Sequence, residues 1–306
     1  MPTGNQSTIT EFILLGLSAD PLLQVILFPI FLAVYMTTLT GNLLLLMTVR
    51  IDKRLHTSMY FFLVNLSVLD IGYSSVIVPK MLANFFLTRK MITFSGCAMQ
   101  VFFHLLVGET ECTLLSLMAY ERYVAICIPL RYNMIMNTRV CFWMISMSWV
   151  AGCIQASADT YFVFSLTYCG PNTLNHFFCE GPMVMQLSCT DILLTNIIKL
   201  VGTATVLFIP LSFILISYIQ IVVTISKLHS GKSKAFSSCV SHVVVVVIFY
   251  GAPLYMYVRP EHTDTGNTDK MLSVFYAVIT PMLNPLIYSL RNKDVQRAIR
   301  IMVGRH

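Results

Sequence analysis

Several polar side chains stand out because everything around them is oil. Asp70, Glu109 and Glu111 are carboxylic acids set in long apolar runs, and Glu121-Arg122-Tyr123 closes one of those runs with an acid beside a base. An ionisable group inside lipid is expensive, so each is a functional hypothesis by default. Asn42, Asp70, Glu111 and Asn284 fall at similar depths in four different runs. Two carboxylates and two amides at one level could share a proton or a cation, and sodium suits oxygen ligands beside a wet interior. The alternative is a hydrogen-bonded network that only fixes how helices pack.

The Glu121-Arg122-Tyr123 triplet can work as a latch. An adjacent acid holds Arg122 in an internal pair, and release frees a cationic fork for a partner's carbonyl groups. An interfacial Arg stretching toward water would leave the same trace. Pro285 removes one backbone hydrogen bond and crowds the preceding turn. Asn284 is expected to fill the freed position, which would make that site bistable; a static kink is the rival reading. No nucleophile–base set has independent support, so the chain does not read as an enzyme.

The elements that must carry these groups follow from composition. The chain has 306 residues, 56% hydrophobic and 11% charged, with a net charge of +6. A soluble domain carries about 25% charged residues. This balance excludes a soluble enzyme, a secreted disulfide module and a nucleic-acid binder. Only helices and closed barrels satisfy their own backbone in lipid. Strands of a barrel would alternate over roughly 10 residues. Here Leu22–Val49 and Val240–Val258 run long without alternation, and about 20 residues of helix cross the hydrocarbon. The expected fold is therefore an all-α membrane protein, a seven-transmembrane helix bundle with a short C-terminal amphipathic helix. Spans are expected at 22–49, 57–85, 94–127, 139–165, 193–226, 235–258 and 271–291. No cleavable signal peptide and no internal repeat are visible.

The whole of 1–306 reads as one domain: an extracellular N-terminus (1–21), the bundle (22–291) and a cytoplasmic helix and tail (292–306). Orientation follows from basic residues in short loops. With the N-terminus outside, only Lys80, Arg89, Lys90, Lys199, Arg259 and Lys270 of the 20 Lys and Arg residues fall on the outer side. Asn5-Gln6-Ser7 is then a glycosylation sequon in the compartment where glycosylation occurs. Beyond the seventh span, Val295, Ala298, Ile299 and Met302 share one helix face opposite Arg297 and Arg300. Such a helix lies on the inner leaflet with its basic side toward anionic lipid.

Of nine cysteines, Cys97, Cys169, Cys179 and Cys189 fall in the oxidising compartment, where three pairings are open. The other five read as small packing residues. The loop 166–192 is long for a segment without clear secondary structure, which marks it as functional. Tied by two bridges, it could cap a cavity.

Taken together, these residues resemble the rhodopsin-like (class A) G-protein-coupled receptors, and more closely the vertebrate olfactory receptors of the tetrapod-type class. The resemblance covers nearly the whole chain. It runs through Gly41-Asn42, Leu55-His56-Thr57-Ser58-Met59-Tyr60-Phe61-Phe62-Leu63 and Leu66-Ser67-Val68-Leu69-Asp70. Met118-Ala119-Tyr120-Glu121-Arg122-Tyr123-Val124-Ala125-Ile126-Cys127 is the most specific stretch. It continues through Ser217-Tyr218, Lys234-Ala235-Phe236-Ser237-Ser238-Cys239-Val240-Ser241-His242 and Phe249-Tyr250-Gly251. The last piece is Pro281-Met282-Leu283-Asn284-Pro285-Leu286-Ile287-Tyr288-Ser289-Leu290-Arg291-Asn292. Glu121 stands where the family usually has Asp, Ser58 where it has Pro, and Ser238 where it has Thr.

The resemblance implies a receptor for small volatile odorants at the cell membrane of olfactory cilia, coupled to the stimulatory olfactory G protein and raising cyclic AMP. It implies the pairs Cys97–Cys179 and Cys169–Cys189, a sodium ion at Asp70 with Glu111, and no other cofactor. Positions matching the odorant pocket are His104, Leu105, Gly108, Glu109, Gly202, Thr203, Val206, Tyr250, Leu254, Tyr257, Val274 and Ala277. The coupling switch would use Glu121, Arg122, Tyr123, Tyr218, His242, Asn284, Pro285 and Tyr288. Helical periodicity puts His104, Gly108 and Glu111 on one face and turns Glu109 away from it. Partners are thus an odorant, a G protein and membrane lipid, and no nucleic acid. The rivals are a non-olfactory class A receptor for a lipid or amine, and a transporter using Asp70 and Glu111 as an ion relay.

Overall fold

The computed structural model of the chain describes residues 9–169, 171–227, 232–258, 266–291, 293–302 and 304. Its helices in chain order are α1 (Pro21–Ile51), α2 (Ser58–Asn84), α3 (Phe94–Cys127), the short α4 (Tyr132–Ile135), α5 (Thr138–Phe164), the short α6 (Gly181–Met185), α7 (Leu193–Lys227), α8 (Lys232–Val258), α9 (Gly266–Val274), α10 (Thr280–Arg291) and α11 (Lys293–Met302). A π-helical turn at Phe275–Ile279 joins α9 to α10. Among the described residues, seven segments are long and apolar enough to cross a membrane: α1, α2, α3, α5, α7, α8 and the composite of α9, the π turn and α10.

Helix starts follow from local chemistry. Asp20 caps α1 by accepting from the Leu22 N–H at 2.9 Å, with Pro21 in the first turn. Thr93 caps α3 through the Gly96 N–H at 3.1 Å, and Asn137 caps α5 through the Val140 N–H at 3.0 Å. Polar content then decides depth. The acid-bearing α3 packs against α2, α5, α7 and α8 in the middle of the bundle. In α2 and α3, 56% of the apolar window is buried, against 11% in α1, which presents Leu22, Val25, Ile26 and Ile30 outward. Lipid tails are as apolar as leucine, so such a bundle coheres through dispersion and interhelical hydrogen bonds of roughly 0.6 kcal/mol each. Phe62, Leu63, Leu66, Leu69, Ile77 and Leu114 form the dense centre of that packing. Gly41 brings α1 against the last span, since a Cβ there would sit 3.2 Å from Pro285 Cγ.

One end of the bundle carries a small sheet that the sequence reading did not anticipate. Strand β1 (Glu11–Leu14) lies between β2 (Met91–Thr93) and β3 (Thr173–Leu174). It pairs antiparallel with β2, Glu11 opposite Thr93, and parallel with β3, Ile13 opposite Thr173. Phe12 and Leu14 are fully buried in a second apolar cluster with Cys97, Val101, Val163, Tyr168 and Cys179. The loop expected to lack secondary structure thus contributes β3 and α6. The Cys97–Cys179 and Cys169–Cys189 bridges close over it, the pairing that the resemblance implied.

The last span corrects one expectation. Pro285 has no N–H for the carbonyl of Pro281, one turn earlier. Asn42 of α1, rather than Asn284, fills that gap, its Nδ2 donating to Pro281 O at 3.2 Å and to Thr38 O at 3.0 Å. Asn284 is unavailable because its amide is turned toward Asp70 and Glu111. The helical irregularity also lies upstream of Pro285, in the π turn. There the Thr280 N–H and hydroxyl both donate to Phe275 O, the hydroxyl at 3.1 Å. At the end of the chain, α11 has the expected two faces, with Val295 and Ala298 buried and Arg297 and Arg300 exposed.

Candidate functional site

At the disulfide end, His104 of α3 is buried among aromatic rings. Its ring centre lies 5.1 Å from Tyr73, 5.2 Å from Phe178 and 6.0 Å from Tyr276. Its Nδ1 is buried without a hydrogen-bond partner. Tyr276 donates its hydroxyl to Glu180 Oε1 at 2.9 Å, tying the last span to the loop. Glu180 Oε2 lies 3.6 Å from Nε2 of the fully buried His176. Burial, with the Lys270 charge second, pushes the His176 imidazole down to about 4. It is therefore neutral at physiological pH. The Gln100 side chain fastens the loop from below, accepting from the Cys179 N–H at 2.9 Å and donating to Val76 O at 3.0 Å.

The residues expected around a ligand are distributed on several faces. Gly108 backs onto the Tyr73 ring of α2, where a Cβ would meet Cε2 at 3.4 Å. Leu105 is half-buried against the cluster beneath the sheet. Glu109 is turned away from His104, as its periodicity predicts, and interacts electrostatically with Asp159 of α5. On α7, Val206 packs on the main core, Gly202 lies against Gln155, and Thr203 is exposed. Tyr250 is buried and donates to Cys112 O at 3.2 Å, linking α8 to α3. Leu254 and Val274 pack at the edge of the core and Ala277 is fully buried. The Tyr257 side chain and Asn5 lie outside the described residues. Sequence reasoning did not single out Tyr73, Phe178, Glu180, Tyr276 or Asp159. The available signals were an acid in an apolar run for Asp159 and an acid beside Cys179 for Glu180.

Midway through the bundle, three of the four polar residues expected at one level meet. Asn284 Nδ2 donates to Asp70 Oδ1 at 2.8 Å and to Glu111 Oε1 at 3.4 Å. Asp70 Oδ2, Asn284 Oδ1 and Asn42 Oδ1 are buried oxygens without partners. A buried acceptor left unmade costs about 1–3 kcal/mol, so this donor set fits a small cation or water. Asn42 belongs to the same neighbourhood but spends its amide on the backbone.

The opposite end holds the Arg122 latch. Arg122 Nε lies 3.6 Å from Glu121 Oε2, and the Tyr132 hydroxyl donates to Glu121 Oε1 at 2.7 Å. Tyr132 sits in α4, and burial beside the Glu121 carboxylate raises its phenol above the usual range. His242 of α8 bridges two helices. Its Nε2 lies 3.0 Å from Leu115 O, which can only accept, so Nε2 carries a proton. The Tyr218 hydroxyl lies 2.7 Å from Nδ1 and donates to it in the neutral ring. Tyr288 is buried with an unpartnered hydroxyl, and half-buried Tyr123 stacks on Tyr120. Every switch residue expected at this end is held by a bond that thermal motion can break, or by none.

Known proteins are similar in sequence to this chain along nearly its whole length. A protein-family model described as olfactory receptor matches residues 31–305. Olfactory receptor 5AR1 of Mus musculus is 45% identical over 307 residues, covering 100% of this chain and 99% of the relative. Olfactory receptor 5AP2 of Mus musculus is 47% identical, covering 97% and 94%. Olfactory receptor 10A7 of Homo sapiens is 45% identical over the same shares, 97% and 94%.

Proposed function

The chain belongs to the olfactory receptor family, and from that premise we propose that it raises cyclic AMP through a stimulatory heterotrimeric G protein when a small volatile molecule binds within the bundle. Membership makes it an odorant receptor, a multi-pass membrane protein and a G-protein-coupled receptor rather than an enzyme. It also sets aside the transporter and the non-olfactory receptor as readings of this chain.

The ligand's place in this proposal is among α3, α7, α8 and the last span, beneath the bridged loop, where apolar walls with a few polar groups suit volatile molecules. The disulfide end faces outward with the N-terminus, Asn5 carries glycan, and α11 lies on the inner leaflet of the ciliary membrane. The mechanism is a population shift: the ligand must bind the active bundle better than the resting one. Contact with Tyr250 biases α8, whose His242 is bonded to Tyr218 and to the backbone of α3. Rearrangement of Tyr218, His242 and Tyr288 then strips Glu121 from Arg122 and opens a cleft for a helix of the G protein. Asp70 and Glu111 would hold a sodium ion, which supplies positive charge to a resting bundle otherwise left with two buried acids.

The observation that carries this reading is α3 itself, which holds His104 against the bridged loop at one end and the Glu121–Arg122 pair at the other. Arg122→Ala should abolish the cyclic AMP response while leaving surface expression intact; an undiminished response would defeat the coupling mechanism. Asp70→Asn should remove the sodium dependence of ligand potency, and unchanged sodium dependence would dismiss the ion.

A further inference from the structure

A polar seam between α3, α5 and α7 lies apart from both the His104 cluster and the Asp70 network. Glu109 on α3 is nine-tenths buried, and its Oε2 has no hydrogen-bond partner. Asp159 on α5 is 3% exposed and interacts with Glu109. Unlike Glu109, Asp159 is served on both sides. Gln155 donates to its Oδ1 at 3.3 Å, and the Lys199 ammonium of α7 interacts with it electrostatically. The Gln155 amide lies across Gly202, in space that a Cβ on Gly202 would claim. The missing side chain on α7 is thus what lets Gln155 reach Asp159. Glu109 Oε2, on α3, stays unmet beside it.

An unmet buried acceptor is unfavourable alone and favourable once a donor arrives. Asp159, by contrast, already has a donor in Gln155. We propose that Glu109, with its Oε2 buried and unmet, receives the O–H or N–H of the odorant's head group, so that this receptor prefers donor-bearing volatiles to donor-less analogues of the same shape. The inference rests on the odorant-receptor reading and adds a ligand class to it. Either protonation state of a carboxyl group offers an accepting oxygen, so the preference requires no particular charge on Glu109.

The test uses matched pairs: linear alkanols against methyl ethers of equal heavy-atom number, and phenol against anisole. Binding is read as thermal stabilisation of the purified receptor, and potency as cyclic AMP in cells. The wild type should favour the alcohol of a pair by roughly 10- to 100-fold. Glu109→Leu should erase that preference while keeping ether binding and surface expression, and Glu109→Gln, which retains an accepting oxygen, should keep part of it. Equal binding of alcohol and ether, failure of every alcohol to bind, or a preference that survives Glu109→Leu would each overturn the inference. Alcohol-selective binding with no cyclic AMP would leave it standing and remove the coupling reading instead.

Discussion

The two ends of the bundle are fastened by different kinds of bond. At one end Cys97–Cys179 and Cys169–Cys189, a three-stranded sheet and the buried Phe12 and Leu14 clasp the loop onto α3. At the other, single polar contacts serve: the Tyr132 hydroxyl ties α4 to Glu121, Tyr218–His242 ties α7 to α8, and the Glu121–Arg122 pair is held within α3. Covalent bridges hold their geometry through any signalling event, whereas a hydrogen bond contributes about 0.5–1.5 kcal/mol net. A receptor needs that asymmetry. The face that recognises a shape must keep its own, and the face that reports must be able to let go.

The comparison breaks most completely at the bridges. Cys97→Ser opens a closure spanning 82 residues, against 20 for Cys169→Ser. Removing a native bridge costs about 2–5 kcal/mol, more for the longer loop. Surface expression should therefore collapse in Cys97→Ser and fall less in Cys169→Ser; the reverse order would mean that the short bridge is the true clasp.

Acid should loosen the same end next. His176 is neutral in the fold, while the unfolded chain takes up a proton near the ordinary value of 6.5. The stability gained is complete above about pH 6.5 and is lost as pH falls toward 4, on the order of 3 kcal/mol. Thermal melts of the purified receptor between pH 7.5 and 4.5 should show a steeper decline for wild type than for His176→Gln. Parallel curves would remove His176 as the cause. The smallest effect belongs to the other end. Tyr132→Phe deletes one bond to Glu121, about 1 kcal/mol, and should raise basal cyclic AMP several-fold with ligand potency little changed. Unaltered basal signalling would show that α4 does not restrain the latch.

How legible each end was in the sequence follows the same division. The Arg122 end and the Asp70–Glu111–Asn284 level could be read because charged and amide groups in apolar runs have nowhere to hide, and helical spacing sets their depth. The periodicity of α3 separated Glu109 from His104 correctly. The sheet was illegible because Glu11–Leu14 is four residues long and its partners lie some 80 and 160 positions away, so no local pattern marks it. The roles of Asn42 and Asn284 at Pro285 were misassigned for a related reason. Which amide reaches a freed carbonyl depends on how closely α1 approaches, and that closeness is set by Gly41 across the interface. Asp159 passed unnoticed because its meaning arises only when α3 and α7 are brought beside it.

The central position of β1 has a consequence for how the molecule is made. The ribosome delivers Glu11–Leu14 first, yet one neighbouring strand emerges after α2 and the other only after α5. This strand must therefore wait, unpaired, until residue 173 has been made before its apolar side chains find full shelter. Completion of the sheet thus requires that α1, α2, α3 and α5 have already been made.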